Sequence, residues 1–412
     1  MALKSPLRNL QEQAEAEFMV YGRRDAVAPA DAATPEMEIV STFGEIEAEY
    51  ASLRRSAGLM DCPQRGTLRV SGADRADFLN RMLTNEFKAE AKTQAASGDH
   101  GKPFASLPPP QSCAGHAIDA FWLNRKGRIE ADLTVIDLGE EMILAVDATL
   151  AQRTADSLKG FIISEDVTIE NAMDRYHGLC MHGPRAVEFL RTILDENEGA
   201  ALADLRPGRA LRCTSHGHPI VVHRCDLIGE VGLHLLCRAE DAVAVHEQLL
   251  EAGLGQGLRS VGWHAFNIAR IEGGSPMHLI DFGLDSLPHE SGLLHRRVSF
   301  TKGCYLGQEV VARMQSLGHP AKTLVGLKIE GEHMPVTGSQ IFDSSDPLAE
   351  VIGAVTSATP SPMLGRTIIA FAMVKYACAK LGTEVIVNAE GRRAKAVIHD
   401  LRFWPRRSAD SG

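Results

Sequence analysis

The chain has 412 residues, of which 44% are hydrophobic and 23% charged, and its formal net charge is −10. This length exceeds a single ordinary hydrophobic core, so the composition predicts a soluble globular protein with two or three domains. The negative charge argues against a nucleic-acid-binding protein, and no apolar run approaches the ~18–20 residues that cross a membrane. Because the N-terminus lacks an apolar signal segment and the eight cysteines are scattered singly, we expect a cytoplasmic protein with reduced thiols.

The first third of the chain predicts an extension, a strand–helix unit and an insertion. Residues 1–36 combine a short amphipathic segment at 7–20 with an Ala/Pro/Asp tract. Apolar and polar residues alternate at 67–71, which predicts a strand, and an apolar stripe at 74–83 predicts a helix. Residues 88–118 contain a triple proline and little periodic hydrophobicity, so we interpret them as an insertion.

The remainder predicts an α+β region followed by an all-β domain. Up to residue 320 the pattern alternates strands with helices, which favours two α+β subdomains with antiparallel sheets over 37–320. The predicted strands are 127–136, 141–146, 164–169, 176–181, 211–214, 220–224 and 230–236, and the predicted helices are 147–159 and 239–252. Short strands at 324–329, 351–358, 367–374, 384–387 and 394–400 then predict a small antiparallel β-barrel over 321–408.

The most informative stretch is Lys-Gly-Cys-Tyr-Leu-Gly-Gln-Glu at 302–309, just before a helix predicted over 308–317. A cysteine beside a lysine and near a helix N-terminus has a pKa lowered from about 8.5 to as little as ~3.5–7.5. Cys304 and Lys302 are therefore our first candidates for chemistry. The thiolate could attack an electrophile, hold a metal transiently or exchange with disulfides, and the residues do not select among these.

This octapeptide resembles the signature of the YgfZ-type folate-binding proteins, a branch of the glycine cleavage T-protein (aminomethyltransferase) superfamily. Further segments resemble motifs of that superfamily in the same order. They are Ala-Gly-Leu-Met-Asp at 57–61, the Phe-Leu…Leu-Thr-Asn segment at 78–85, Leu-Asn-Arg-Lys-Gly-Arg-Ile at 123–129 with Asp132, Leu-Ile-Gly-Glu-Val-Gly at 227–232 and Arg-Ile-Glu-Gly-Gly at 270–274. The matches run from about residue 40 to about residue 405 and so cover most of the chain.

The resemblance implies a three-domain ring around a central channel for tetrahydrofolate or a derivative. In that family the glutamate matching Glu230 accepts hydrogen bonds from the pterin, whose paired donors suit a carboxylate. Arg270 is expected to orient the cofactor or to pair with Glu272, and Gln308 and Glu309 are expected to contact the cofactor. Asp132 lies where T-proteins position the folate amine, so it joins Cys304 and Lys302 as a predicted catalytic residue.

The sequence departs from the methyltransferase pattern at several positions. Two family tyrosines align with Leu227 and Asp119, an asparagine aligns with Asp147, and typical aminomethyltransferases lack the cysteine at 304. Loss of the two aromatic rings weakens stacking on a pterin or benzoyl group. His216 and His218 could bind a metal but have no carboxylate or cysteine neighbours, and the histidines at 278, 289 and 295 lack the regular spacing of metal ligands, so no metal site is predicted.

Three hypotheses follow. The first, which the octapeptide favours, is a tetrahydrofolate-binding accessory protein that supports iron–sulfur cluster assembly or repair, with assembly proteins or client enzymes as partners. The second is a folate-dependent aminomethyltransferase in which Asp132 assists proton transfer. The third is a scaffold that binds a protein through 88–118. None of the three involves nucleic acid or a membrane.

Overall fold

The computed structural model describes residues 3–21, 36–87, 114–346 and 348–404. Among these residues, none of the helices has the length and apolar character needed to span a lipid bilayer. The described helices are α1 (Arg8–Gln13), α2 (Ile46–Arg55), α3 (Arg75–Met82), α4 (Ala151–Lys159), α5 (Ala186–Arg191), α6 (Glu196–Ala203), α7 (Ala242–Ala252), α8 (Trp263–Glu272), α9 (Leu294–Arg297) and α10 (Gln308–Leu317).

The described strands form a hairpin, a large sheet and a barrel. They are β1 (Glu17–Tyr21), β2 (Met37–Thr42), β3 (Ala57–Asp61), β4 (Arg65–Ser71), β5 (Ala114–Leu123), β6 (Ile129–Asp137), β7 (Met142–Asp147), β8 (Thr168–Asn171), β9 (Tyr176–His182), β10 (Arg209–Ser215), β11 (His218–Arg224), β12 (Gly232–Arg238), β13 (Leu258–Ser260), β14 (Lys322–Ile329), β15 (Gln340–Phe342), β16 (Val351–Ser361), β17 (Thr367–Lys375), β18 (Glu384–Ala389) and β19 (Arg392–His399).

The large sheet has 11 strands in the order β13-β3-β9-β12-β11-β10-β5-β6-β7-β4-β8. Its neighbouring strands run antiparallel, except that β3 and β13 are parallel. Strands β14 to β19 close into a separate six-stranded barrel whose neighbours are antiparallel. The predicted α+β class and C-terminal antiparallel barrel are confirmed.

Alternation along the strands gives the large sheet two different faces. Its outer face is apolar: α5, α6 and α7 cover strands β3 and β9 to β12, and α3 and α4 cover strands β4 to β7. The inner face carries an apolar patch that combines residues of β5 to β7 with residues of β10 to β12. Strands from both halves also line one internal cavity, so the two halves of the sheet face each other.

The N-terminal prediction is wrong in part. The amphipathic segment at 7–20 is helical only over Arg8–Gln13, and Glu17–Tyr21 is a strand that pairs with Met37–Thr42. The reason is a partner distant in sequence, which a local pattern cannot supply. Leu7 is fully buried in the core, so this part of the predicted extension belongs to the packed body of the protein.

The predicted insertion is also shorter than expected at its C-terminal end. Residues 114–118 lie in β5, where they pair with β6 and β10. The predicted segments 22–35 and 88–113 lie outside the described residues. The three domain boundaries stay a prediction, although the first barrel strand begins at Lys322.

Candidate functional site

The Leu-Thr-Asn motif, the octapeptide and the Leu-Asn-Arg-Lys-Gly-Arg-Ile motif lie close together at the end of helix α3. The Thr84 hydroxyl donates to the backbone carbonyl of Arg297 (2.6 Å) and accepts from the Phe121 amide (2.9 Å). The Asn85 side-chain amide donates to the Asp119 carbonyl (2.9 Å). The Leu-Thr-Asn motif therefore connects strand β5 to the segment that leads into the octapeptide.

Two carboxylates share one arginine at this junction. Arg297 Nε donates to Asp132 Oδ1 (2.6 Å), its Nη2 lies 3.3 Å from Asp132 Oδ2, and its Nη1 forms an ion pair with Asp119. The Thr134 hydroxyl donates to Asp119 (2.7 Å). Since β5 and β6 pair Asp119 with Thr134 and Phe121 with Asp132, these side chains lie on one face of the sheet.

Arg297 and Asp119 each shift the pKa of the other. Burial opposes ionisation of Asp119, yet the Arg297 guanidinium holds the pKa of that carboxyl below its usual value. Burial likewise acts to lower the pKa of Arg297, but the Asp119 and Asp132 carboxylates raise it. The side chains of Arg297 and Asp132 are 11% and 14% exposed, so this ion pair is not sealed from solvent.

Lys302 lies in the same region, but its ammonium group contacts backbone carbonyls. Lys302 Nζ donates to the carbonyls of Asn80 (2.7 Å), Leu83 (2.8 Å) and Asn85 (2.5 Å), and burial lowers its pKa to about 8. An ammonium group has three N–H donors, and all three are used here. Lys302 therefore binds the C-terminal end of α3, where a cation is favoured, and holds the octapeptide against that helix.

The Cys304 thiol is exposed. Helix α10 covers Gln308–Leu317, the predicted bounds, and its N-cap is Gly307 in the left-handed conformation (φ +82°). A Cβ atom on Gly307 would lie 2.8 Å from the Asn124 carbonyl oxygen, so only glycine allows this close approach. Cys304 precedes the N-cap by three residues and thus lies outside the first turn of the helix.

The octapeptide packs against the Leu-Asn-Arg-Lys-Gly-Arg-Ile motif. A Cβ atom on Gly127 would lie 2.9 Å from Val310 Cβ, and Tyr305 is buried with Leu123 and Ile129 in one apolar cluster. Gln308 is half-buried and Glu309 is exposed. The structure therefore brings the segments that carry Cys304, Lys302, Asp132, Gln308 and Glu309 into one region.

Arg270 lies at the junction with the barrel. Its guanidinium donates to Asp281 Oδ2 (2.6 Å), to the Ser275 carbonyl (3.1 Å) and, across the junction, to the Ser357 hydroxyl (2.8 Å). Arg270 and Asp281 have fully buried side chains. The expected pairing of Arg270 with Glu272 is wrong, because Glu272 pairs with Arg54 (2.5 Å).

Glu230 follows strand β11 in a loop that lies against the end of α8. Arg54 Nη1 donates to the carbonyl of Ile228 (2.7 Å), and a Cβ atom on Gly273 would meet the Ile228 carbonyl carbon at 2.6 Å. The Leu-Ile-Gly-Glu and Arg-Ile-Glu-Gly-Gly motifs are therefore neighbours. Glu230 itself is 7% exposed, which makes it a nearly buried carboxylate.

The positions that depart from the methyltransferase pattern have structural partners. Asp147 Oδ1 accepts from the Thr149 amide (2.9 Å), and its Oδ2 accepts from the Tyr21 hydroxyl (2.5 Å). Leu227 packs at the edge of an apolar cluster with Ile228 and Phe266. The sequence analysis missed Arg297, although the basic run at 295–297 just before the octapeptide was a usable signal.

Two cavities share Arg65 in their walls. The larger is a cleft of about 540 Å³ beneath the N-terminal segment 3–6, lined also by Thr149, Tyr176 and His177. The smaller, of about 30 Å³, lies between the inner faces of the large sheet. The predicted catalytic and cofactor-binding residues are absent from the walls of both cavities.

Comparison with known proteins gives matches over most of the chain. Residues 111–302 match the GCVT N-terminal domain, and residues 322–404 match the glycine cleavage T-protein C-terminal barrel domain. Aminomethyltransferases of Bacillus cereus (strain G9842) and Bacillus anthracis are each 28% identical over 375 residues, which cover 90% of this chain and 92% of theirs.

A solved structure shares the architecture. The glycine cleavage system aminomethyltransferase T from Bartonella henselae superposes with a TM-score of 0.79 at 23% identity, covering 99% of each chain. The fold described above is therefore the fold of that protein.

Proposed function

Because the chain belongs to the glycine cleavage T-protein superfamily, we propose that it binds tetrahydrofolate or a derivative and transfers a one-carbon unit as aminomethyltransferases do. The observation that carries this proposal is the Asp132 carboxylate, which Arg297 orients on the inner face of the sheet and which keeps 14% of its surface exposed. Curated relatives that match 90% of this chain are named aminomethyltransferases, which favours this function over the accessory role that the octapeptide alone suggested.

The residues near Glu230 fit a folate in part. A nearly buried carboxylate is a suitable acceptor for the amino and N–H donors along one edge of a pterin, and Glu230 is 7% exposed. Arg270 does not fit the cofactor-binding role, since Asn267, Ser275, Asp281 and Ser357 already accept from its guanidinium. When bound, tetrahydrofolate would supply the nitrogen atoms that accept a one-carbon unit.

The Asp132 carboxylate is the group we assign to proton transfer. Its Oδ1 accepts a short hydrogen bond from Arg297 Nε (2.6 Å), whereas its Oδ2 lies 3.3 Å from Nη2. Oδ2 is therefore the oxygen with more capacity to take or give a proton. Arg297 and Asp119 act as positioning residues, because the guanidinium bridges both carboxylates and fixes the orientation of Asp132.

The test is a transfer assay with purified protein, tetrahydrofolate and an aminomethyl-lipoyl donor. We expect methylene-tetrahydrofolate from the unaltered chain and a loss of about 10²–10⁴-fold for Asp132→Asn, the range typical of general acid–base residues. Asp137→Asn is the matched control, since Asp137 ends the same strand and accepts from the Gly139 amide (2.9 Å). No product from the unaltered chain would reject the transferase proposal.

A second candidate is the folate-binding accessory protein that supports iron–sulfur cluster assembly or repair. The observation that favours it is the exposed Cys304 thiol of the octapeptide, with Gln308 and Glu309 at the start of α10. In cells that lack the native copy, Cys304→Ser should then depress the activity of cluster-dependent enzymes, whereas Cys378→Ser in the barrel should not. Full rescue by Cys304→Ser would remove this thiol from the function.

A further inference from the structure

The inner face of the large sheet carries a row of sulfur and imidazole side chains. Strand register places Met60 opposite Cys180, Cys180 opposite His234, and His234 opposite His223. Cys62 follows Met60 by two residues and lies on the same face as Met60. The row therefore crosses β3, β9, β12 and β11, at positions far apart in the sequence.

Strand β9, which carries Cys180 and His182, and strand β12, which carries His234, meet at one point. One ligand atom from each of Cys180, His182 and His234 lies within 4.8 Å of the others. Cys62 Sγ lies 2.9 Å from Cys180 Sγ. Thiolate and imidazole are the ligands that zinc and similar transition-metal ions prefer.

The imidazole nitrogens at this point are buried without hydrogen-bond partners. Both ring nitrogens of His182 and the Nε2 atom of His234 are buried and unpaired, and His182 is 1% exposed. A buried polar atom without a hydrogen-bond partner destabilises the folded chain. Gly232 makes room for this ring, since a Cβ atom there would lie 2.6 Å from His182 Nδ1.

The smaller cavity adjoins three of these four residues, and His182 is not in its walls. Its volume of about 30 Å³ is bounded by Cys62, Cys180 and His234, together with His223 and Arg65. A space of about 10–15 Å³ already admits a water-sized particle, so the cavity leaves room for an ion next to Cys62, Cys180 and His234.

We propose that Cys180, His182 and His234 bind a divalent transition-metal ion of the zinc class, with Cys62 as the fourth ligand. Binding would give each buried imidazole a partner and would release the protons of the two thiols. Two sulfurs bound at 2.3 Å to one tetrahedral ion lie about 3.8 Å apart, so the Cys62 and Cys180 sulfurs would separate by about 1 Å.

The charges around the cluster agree with a neutral site. Two thiolates cancel the charge of a divalent ion, which leaves the Arg65 cation on the cavity wall without a strong repulsive neighbour. The ion would connect β3, β9 and β12 on the buried inner face. The site is therefore structural, and it is separate from the proposed folate chemistry at Asp132.

Metal analysis of the full chain tests the proposal. Protein purified with a thiol reductant is expected to contain about one zinc per chain and to bind Co²⁺ with thiolate charge-transfer absorption, as a mixed sulfur–nitrogen site does. Cys180→Ser and His234→Gln should each lower the zinc content more than about tenfold. Cys237→Ser is the matched control, because Cys237 is buried in β12 on the opposite face.

Two results would overturn the proposal. One is a zinc content in the unaltered chain below about a tenth of an ion, with no Co²⁺ absorption. The other is a Cys62–Cys180 disulfide in protein quenched directly from cells, detected by peptide mass spectrometry. If Cys180→Ser fails to fold, chelation of the unaltered chain decides: its unfolding midpoint should fall with a chelator and recover with added zinc, and an unchanged midpoint contradicts the site.

Discussion

Two of the arginine–carboxylate clusters, at Arg270 and at Arg297, differ in how completely they are closed to solvent. Arg270 and Asp281 have side-chain exposures of 0% and 0%, and Asp281 also accepts from Thr356 and Ser357 of the barrel. Arg297 and Asp132 keep 11% and 14% of their side-chain surfaces exposed. Both arginines belong to charged segments of the sequence, yet only the second cluster leaves a carboxylate that a ligand can reach.

The contrast separates a charged residue that stabilises the fold from one that positions a reactive group. A guanidinium with four of its five N–H donors on fixed protein acceptors stabilises a junction, here between α8 and the barrel strand that contains Ser357. A guanidinium that holds two carboxylates near the surface sets their orientation and leaves an oxygen for a substrate. Arg270 is therefore a stability residue, and Arg297 is a positioning residue.

The largest expected effect comes from breaking the closed cluster. Arg270→Met leaves the Asp281 carboxylate buried and uncompensated, so the free energy of unfolding should fall by about 3–5 kcal/mol. Urea denaturation measures this, with Arg392→Met on the exposed face of the barrel as the control. A loss below about 1 kcal/mol would show that the Arg270 cluster does not anchor the barrel.

Breaking the open cluster should cost less stability. Arg297→Met leaves Asp119 and Asp132 without their shared cation, but water reaches both, so we expect a loss of about 2–3 kcal/mol. The same denaturation experiment checks this value, and the transfer assay should show lost activity in the folded variant. A loss equal to that of Arg270→Met would erase the distinction between the two clusters.

The third prediction uses His278, in the segment that runs from the first cluster to the second. Its ring lies 5.3 Å from the Phe282 ring, and Phe282 packs on Phe121 of β5. Burial lowers the pKa of His278 to about 4, with Asp147 and Glu130 raising it and Arg153 lowering it. The unfolded chain takes up this proton near pH 6.5, so the free energy of unfolding falls as pH drops from 6.5 towards 4.

Replacing His278 should remove its contribution to the fall in the free energy of unfolding at low pH. At pH 5 protonation of this histidine in the unfolded chain lowers the free energy of unfolding by about 2 kcal/mol, at about 1.4 kcal/mol per pKa unit. Between pH 7 and pH 5 the free energy of unfolding should therefore fall by about 2 kcal/mol less in His278→Phe than in the unaltered chain. Urea denaturation at both pH values measures this difference. Parallel pH profiles for the two proteins would contradict a neutral buried His278.

The smallest effect concerns the two glycines of the octapeptide. Gly307→Ala places a side chain in the left-handed conformation and against the Asn124 carbonyl, so it should cost about 1–2 kcal/mol and shift the start of α10. Gly303→Ala is a matched control within the same motif, since a Cβ atom there meets nothing within 4 Å. Equal thermal midpoints for the two variants would mean that Gly307 is not required by the fold.

The sequence predicted those parts of the fold that depend on local patterns. Helix α10 and five of the six barrel strands followed from periodicity and punctuation by glycine and proline, whereas the three-residue strand β15 was not predicted. The strand Glu17–Tyr21 did not, because its partner lies across residues 22–35. Local patterns also cannot show the carbonyl partners of Lys302, which lie more than two hundred positions earlier in the chain.

The candidate site was predicted only as a set of separate residues. Family motifs placed Cys304, Asp132 and Glu230, but the guanidinium that orients Asp132 had no motif of its own. The proposed metal ligands were not predicted either, because Cys180 and His182 share β9 but His234 lies in β12 and Cys62 follows β3. Sheet register, which sequence alone does not give, brings them together.

The most direct test of the central claim, that this chain is a folate protein, is isothermal titration with tetrahydrofolate under anaerobic conditions. The unaltered chain should bind, Glu230→Ala should bind at least about tenfold more weakly, a difference of about 1.4 kcal/mol, and Glu384→Ala at the exposed start of β18 should match the unaltered chain. No heat of binding from the unaltered chain, or equal affinities for all three proteins, would contradict the account.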